Sequence, residues 1–200
     1  MRRFTRKEQL FIKKVKEHCK EYGIKVELRD VMYLQLDKNS RCTGYFDEEN
    51  MRLVCAMKRP DSFPILVHEY AHFTQWIEQC KPWVNLGNSL SHLMDWLDGK
   101  SVRSIAKHVV ACRDMELDNE KRSAKLIKEY DLNIDLDFYI RRANAYVMFY
   151  NYLLISRRWS KPNNAAYRNK AIVAEMSPKF NMNYKKPTKK LMALYESEGI

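Results

Sequence analysis

The chain has 200 residues, a length that suits one compact domain, and 46% of them are hydrophobic, which excludes a globally disordered protein. With only 5 glycines and 6 prolines, the composition disfavours a turn-rich all-β sandwich and any collagen-like or low-complexity chain. The formal net charge of +11 excludes an acidic solvating protein.

The first predicted element is an N-terminal helix over residues 5–22. Thr5 and Glu8 have the spacing of a capping box, in which each side chain satisfies a backbone N–H at the helix start. Apolar residues then recur at helical spacing along one face, and Gly23 follows in the position that often ends a helix.

The next segment has the two-residue period of β-strands. Apolar and charged residues alternate over 24–28, and a second apolar run covers 31–36. The acidic stretch 47–50 separates residues 44–46 from 51–57, which predicts a hairpin turn between two strands. These segments predict three or four short strands in one small antiparallel sheet.

The rest of the chain is predicted to be helical, because apolar residues return to a period near 3.6. Residues 161–182 have no clear period and are predicted to be irregular. A helix, then a sheet, then several helices predict an α+β fold. The predicted helices cover residues 62–79, 89–97, 102–130, 136–159 and 187–197, and the fourth of them is apolar on all sides, as a central core helix would be.

The most informative motif lies in the helix predicted over 62–79. His68 and His72 are one helical turn apart, so both imidazoles can bind one metal ion, and Glu69 lies between them in the sequence. A carboxylate in that position can hold and deprotonate a water molecule on the metal. The motif therefore predicts a zinc site with Glu69 as general base.

A catalytic zinc ion usually has three protein ligands, so a third is expected downstream. Glu116 and Glu120 share one face of the helix predicted over 102–130, so that one can bind zinc while the other supports the site from behind a ligand. His92 is the rival candidate, and it would give a site with three histidines.

A hairpin that leads to His-Glu-x-x-His, followed by a later helix with Glu-x-x-x-Glu, resembles the gluzincin branch of zinc metallopeptidases over residues 43–125. It also resembles small metallopeptidase-like proteins of phages and bacteria. The resemblance implies a zincin-like fold in which an active-site helix holds His68 and His72. It further implies that Glu116 is the third zinc ligand and that Glu120 supports the site. Many gluzincins have Asp at the position of Glu120.

Gluzincins often use a tyrosine or a histidine to stabilise the oxyanion of the tetrahedral intermediate. Tyr146 and Tyr150 are one turn apart on the helix predicted over 136–159, and either could have this role. The alternative is that both tyrosines pack in the core.

The cysteines and the N-terminus indicate a cytoplasmic protein. Five cysteines are present, an odd number at wide spacing without a Cys-x-x-Cys pair, which favours a reducing compartment. The basic N-terminus has no apolar run behind it and does not predict a secretory signal, and the longest uncharged stretch is too short to span a bilayer. The sequence makes no prediction of oligomeric state.

The positive charge is concentrated at the two ends of the chain. Residues 1–30 carry ten Lys/Arg against five Asp/Glu, and residues 157–200 carry ten against three. We therefore treat the helix over 5–22 and the segment over 160–200 as basic extensions of a single domain covering 1–200. They predict weak binding to nucleic acid, unless the charge only increases solubility.

The sequence is compatible with two functions. The first is a zinc-dependent peptidase that hydrolyses a protein or peptide substrate with a zinc-activated water. The second is a nucleic-acid- or protein-binding module with a structural zinc site, in which Glu69 would be dispensable. A Glu69→Gln variant separates the two.

Overall fold

The computed structural model of the chain describes residues 4–36, 41–161 and 164–200. Arg2 and Arg3 of the basic N-terminal end and residues 162–163 of the basic C-terminal segment lie outside this range. Within it, eight α-helices and two small sheets confirm the predicted α+β class. The helices are α1 Arg6–Glu21, α2 Ser62–Glu78, α3 Lys81–Leu86, α4 Ser89–Leu97, α5 Ile105–Glu129, α6 Leu136–Ser156, α7 Lys170–Glu175 and α8 Lys189–Ser197. The strands are β1 Lys25–Arg29, β2 Leu34–Gln35, β3 Arg41–Cys42, β4 Gly44–Asp47 and β5 Arg52–Ala56.

The chain divides into two compact units. The first comprises Met1–Gln79 and Arg122–Ile134, and the second comprises Cys80–Lys121 and Asp135–Ile200. Helix α5 is continuous and supplies residues to both. The prediction of one domain over 1–200 stays a prediction.

In the first unit, α1 begins as the sequence predicts. Thr5 is the N-cap, its hydroxyl accepts a hydrogen bond from the backbone N–H of Glu8, and the Glu8 carboxylate accepts one from the backbone N–H of Thr5. Phe11, Val15 and Cys19 are fully buried, so the apolar face of the basic N-terminal helix is part of the core.

The sheet of the first unit differs from the prediction. Strand β4 pairs with β5 in the predicted antiparallel hairpin, but β1 pairs with β5 in parallel, and β2 and β3 form a separate two-stranded sheet. The prediction of one antiparallel sheet is therefore wrong. Parallel neighbours need a long crossover between them, and here β2, β3 and β4 lie in the connection from β1 to β5.

Contacts in the first unit fix the rotation of α2 about its axis. Tyr70 is buried, its ring packs edge-on against Phe11, and its hydroxyl lies 2.7 Å from Nδ1 of His18 on α1. Successive helical residues are about 100° apart, so Tyr70 is about 160° from both His68 and His72 around the axis. Packing Tyr70 against α1 thus turns both motif histidines to the opposite face.

The second unit is built around α6, which confirms the predicted central helix. Ala145, Phe149 and Leu153 are buried, and the Phe149 ring packs edge-on against that of Tyr195 on α8. Ile172 of α7 is fully buried in the same core. Much of the basic C-terminal segment is therefore packed rather than extended.

Two short helices, α3 and α7, are not predicted from the sequence. Helix α3 begins next to Pro82, a residue that favours the first turn, but six residues are too few to give a period. Helix α7 lies in the segment predicted to be irregular, and Asn169 caps it by accepting a hydrogen bond from the N–H of Ile172. Among the residues described, no helix is both long and apolar enough to cross a membrane.

Candidate metal centre

The two motif histidines lie side by side on α2. Nε2 of His68 and Nε2 of His72 are 3.2 Å apart, and their rings are nearly perpendicular, at 88°. Two nitrogens bound to one zinc ion at about 2.0–2.1 Å in tetrahedral geometry would be about 3.3–3.4 Å apart. The spacing in the structure therefore fits two ligands of a single ion.

A hydrogen bond determines which nitrogen of His72 can bind a metal. The amide oxygen of Gln75 lies 2.9 Å from Nδ1 of His72, and because an amide oxygen only accepts, this nitrogen carries the proton. The lone pair is then on Nε2, which faces His68. Burial lowers the pKa of His72 to about 3, and the neighbouring His68 contributes to this lowering, so His72 is neutral at physiological pH, as a metal ligand must be.

Glu116 supplies the third candidate ligand. One ligand atom from each of His68, His72 and Glu116 lies within 4.8 Å of the other two. Glu116 is on α5 and is only 8% exposed. Carboxylate oxygens are among the ligands that zinc binds, so a divalent cation suits this position. The three residues can together hold a metal ion, and that this ion is zinc stays a prediction.

Glu69 lies against the edge strand of the three-stranded sheet. Its side chain is 8% exposed, and it packs on Gly44 at the start of β4. A Cβ atom on Gly44 would be 3.0 Å from Cγ of Glu69, 3.1 Å from its Oε1 and 2.6 Å from Cγ2 of Ile65. Only glycine therefore lets α2 come this close to β4, and this contact sets the place of the predicted base.

Cysteine thiols near Glu69 remain protonated. Burial, together with the negative charge of Glu69, raises the pKa of Cys42 to about 11, and the same two causes raise that of Cys55 well above its ordinary value. A thiol must lose its proton to bind a metal or act as a nucleophile. This environment favours a carboxylate and imidazole site.

Glu120, the predicted supporting residue, is held by a tyrosine. It is 7% exposed, and Oε2 accepts a hydrogen bond of 2.5 Å from the hydroxyl of Tyr139. Its predicted action through a histidine ligand stays a prediction.

Tyr146 and Tyr150, the predicted oxyanion donors, lie beside Glu116 in the second unit. The Tyr146 hydroxyl donates to Oε1 of Glu116 at 3.2 Å, and the two tyrosine hydroxyls are 3.3 Å apart. Burial, assisted by the charge of Glu116, raises the pKa of both phenols well above the ordinary value. Both therefore stay protonated, and their oxyanion role stays a prediction.

His92, the rival third ligand, lies outside this cluster. It is on α4, and its ring centroid is 4.5 Å from that of His108, whose Nδ1 is 3.1 Å from the hydroxyl of Ser89. All three residues belong to the second unit. His92 and His108 line a pocket in that unit whose lining does not include Glu116.

Three residues around the centre are not identified by the sequence. Gln75 follows His72 by three residues on α2, so helical spacing could have identified it as a partner. Gly44 begins a strand and has no special sequence signal. Tyr139 is one aromatic residue among many in an apolar helix, and only the packing against Glu120 distinguishes it.

Comparisons with protein-family models, curated proteins and solved structures found no match for this chain.

Proposed function

We propose that the chain is a zinc-dependent peptidase of the gluzincin type. The observation that carries this proposal is the cluster of His68, His72 and Glu116, with ligand atoms within 4.8 Å of one another, in which both histidines lie on a helix that also bears Glu69. Two imidazoles and one carboxylate are a ligand set found in zinc hydrolases, in which a fourth position is left for water.

Zinc held by these three residues would polarise a substrate carbonyl and lower the pKa of a water molecule to about 7. Glu69 carries the protons in both steps. As a carboxylate it accepts a proton from the attacking water, and as a carboxylic acid it donates that proton to the amine nitrogen when the C–N bond breaks. Two-metal phosphodiesterases need clustered carboxylates that bridge ions about 3.5–4 Å apart, whereas two imidazoles and one carboxylate suit a single zinc ion, so we favour a peptide over a phosphodiester substrate.

The position of Glu69 also supports a peptide substrate. Strand β4 is at the end of the strand order β1-β5-β4, and an extended peptide can add to a sheet at such an edge. Gly44 places this strand beside Glu69. A peptide bound along β4 would thus have its backbone near the base.

The ligand set is tested by metal analysis of the purified protein. We expect one zinc ion per chain in the wild type and in Glu69→Gln, and a large loss in His68→Ala, His72→Ala and Glu116→Ala. His92→Ala is the matched control and should retain zinc. Loss of zinc in His92→Ala with full occupancy in Glu116→Ala would refute the ligand set.

The reaction is tested by mass spectrometry of a peptide library digested with the wild type or with Glu69→Gln at equal zinc content. We expect cleavage by the wild type and a loss of at least about 100-fold in Glu69→Gln. Equal cleavage by both would refute the role of Glu69. Full zinc occupancy without cleavage by the wild type would favour the second function, a binding module with a structural zinc site, which the basic ends of the chain suggest.

A further inference from the structure

Two acidic residues of α5 are each hydrogen-bonded to a tyrosine of α6. Tyr146 donates to Glu116 and Tyr139 donates to Glu120. Moving forward along α5 from Glu116 to Glu120 corresponds to moving backward along α6 from Tyr146 to Tyr139. The two pairs therefore link antiparallel stretches of helix, and all four residues belong to the second unit.

The hydroxyl of Tyr146 has one proton, and its geometry directs this proton to Glu116. Oε1 of Glu116 is 3.2 Å from the hydroxyl oxygen, and a carboxylate accepts strongly. The Tyr150 hydroxyl, one turn further along α6, lies 3.3 Å from the same oxygen of Tyr146. Because Tyr146 donates its only hydroxyl proton to Glu116, Tyr150 must be the donor in the hydrogen bond between the two tyrosines.

We propose that Tyr146 is a positioning residue for the metal centre, and that Tyr150 in turn orients Tyr146. The hydrogen bond from Tyr146 restricts rotation of the Glu116 carboxylate and holds it in the orientation in which it can bind a metal ion. Substituting a residue that is hydrogen-bonded to a metal ligand typically weakens metal affinity by about 10–100-fold. This inference rests on the proposed metal site, and it assigns Tyr146 a role different from that of oxyanion donor.

A purely structural role for Tyr146 predicts a different result. Helix packing depends on the aromatic ring, which phenylalanine retains, whereas carboxylate orientation depends on the hydroxyl, which phenylalanine lacks. Tyr152 offers a matched control, because it is buried on the same helix and its ring stacks on Tyr195 at 5.2 Å. Tyr152→Phe removes a hydroxyl from α6 away from Glu116.

The experiment measures metal binding to the full chain and to the variants Tyr146→Phe, Tyr150→Phe and Tyr152→Phe. Zinc affinity is obtained by competition with a chromophoric chelator, and the visible absorption of the Co²⁺-substituted protein reports the geometry of the ligands. We expect Tyr146→Phe to bind zinc about 10–100-fold more weakly and to have an altered Co²⁺ spectrum. Tyr150→Phe should show a smaller change in the same direction, and Tyr152→Phe should match the wild type.

Wild-type zinc affinity and an unchanged Co²⁺ spectrum in Tyr146→Phe would overturn the inference and leave the proposed metal site intact. If Tyr146→Phe does not fold, as judged by near-UV circular dichroism, Tyr150→Phe decides, because the Tyr150 hydroxyl is hydrogen-bonded to that of Tyr146. Wild-type behaviour of Tyr150→Phe in both measurements would then count against the inference. Failure of the wild type itself to bind either metal would instead refute the proposed function.

Discussion

Replacing Gly44 by alanine should destabilise the protein, because the new methyl group would occupy space that α2 already fills. The Cβ would be 2.6 Å from Cγ2 of Ile65 and 3.0 Å from Cγ of Glu69, whereas ordinary contacts of a Cβ atom are 3.4–4 Å. To restore a normal contact, the Ile65 side chain must rotate or one of the two elements must move by about 0.8 Å.

Two opposing effects set the change in the free energy of unfolding that Gly44→Ala causes. Overpacking a tight position by one methyl group typically costs about 1–3 kcal/mol. The backbone of Gly44 does not have a positive φ, so alanine adds no backbone strain there and instead restricts the unfolded chain, which stabilises by about 0.4–1 kcal/mol. Subtracting the second range from the first gives an expected loss of about 0–2.6 kcal/mol in the free energy of unfolding, with a midpoint of about 1.3 kcal/mol.

Urea unfolding followed by circular dichroism measures this loss as a lower midpoint with an unchanged slope. Ile65→Ala removes Cγ2, the nearest atom, so the double variant with Gly44→Ala should be more stable than the sum of the two single effects predicts. Gly99→Ala is a useful contrast, because its Cβ would meet nothing within 4 Å and only the positive φ of 95° would oppose it. A raised stability of Gly44→Ala, or strict additivity with Ile65→Ala, would refute the close-approach argument.

Three further predictions concern stability and binding. His72 has its pKa lowered to about 3 in the folded state against an ordinary 6.5, so the unfolded state binds more protons between these values. The metal-free protein should accordingly lose stability as the pH falls from about 6.5 toward 3, and a His72→Asn variant should show a shallower loss in urea titrations across that range. Tyr70→Phe should lower the free energy of unfolding by about 1 kcal/mol, since it removes the 2.7 Å hydrogen bond with His18; a stability equal to the wild type would mean that this bond has no net value. Binding to duplex DNA should be weak and salt-sensitive, with a slope of about −0.9 per neutralised phosphate in log K against log salt, and an absence of retardation at low salt would leave the basic charge as a solubility feature.

The local elements of this protein can be predicted from its sequence, because each depends on residues that are neighbours in the chain. The capping box of Thr5 and Glu8 starts α1, the hairpin joins β4 and β5, and α2 carries the metal motif, as the periodicity predicted. These features could be predicted because a cap, a turn or a helical face is specified by residues only a few positions apart. His68 and His72 share a face of α2 for the same reason, since residues four apart on a helix differ by only about 40° around its axis.

Features that depend on residues far apart in the chain are visible only in the folded structure. Four features have no local signal in the sequence. They are the parallel pairing of β1 with β5, the short distance from Glu116 to the two histidines, the contact of Glu69 with Gly44, and the hydrogen bond from Tyr146 to Glu116. Spacing along a helix shows which face a residue shares, but not which element packs against that face. A glycine or a tyrosine likewise has its role here only because of the side chains that the fold brings within a few ångströms of it, since hydrogen bonds and packing act only over such distances.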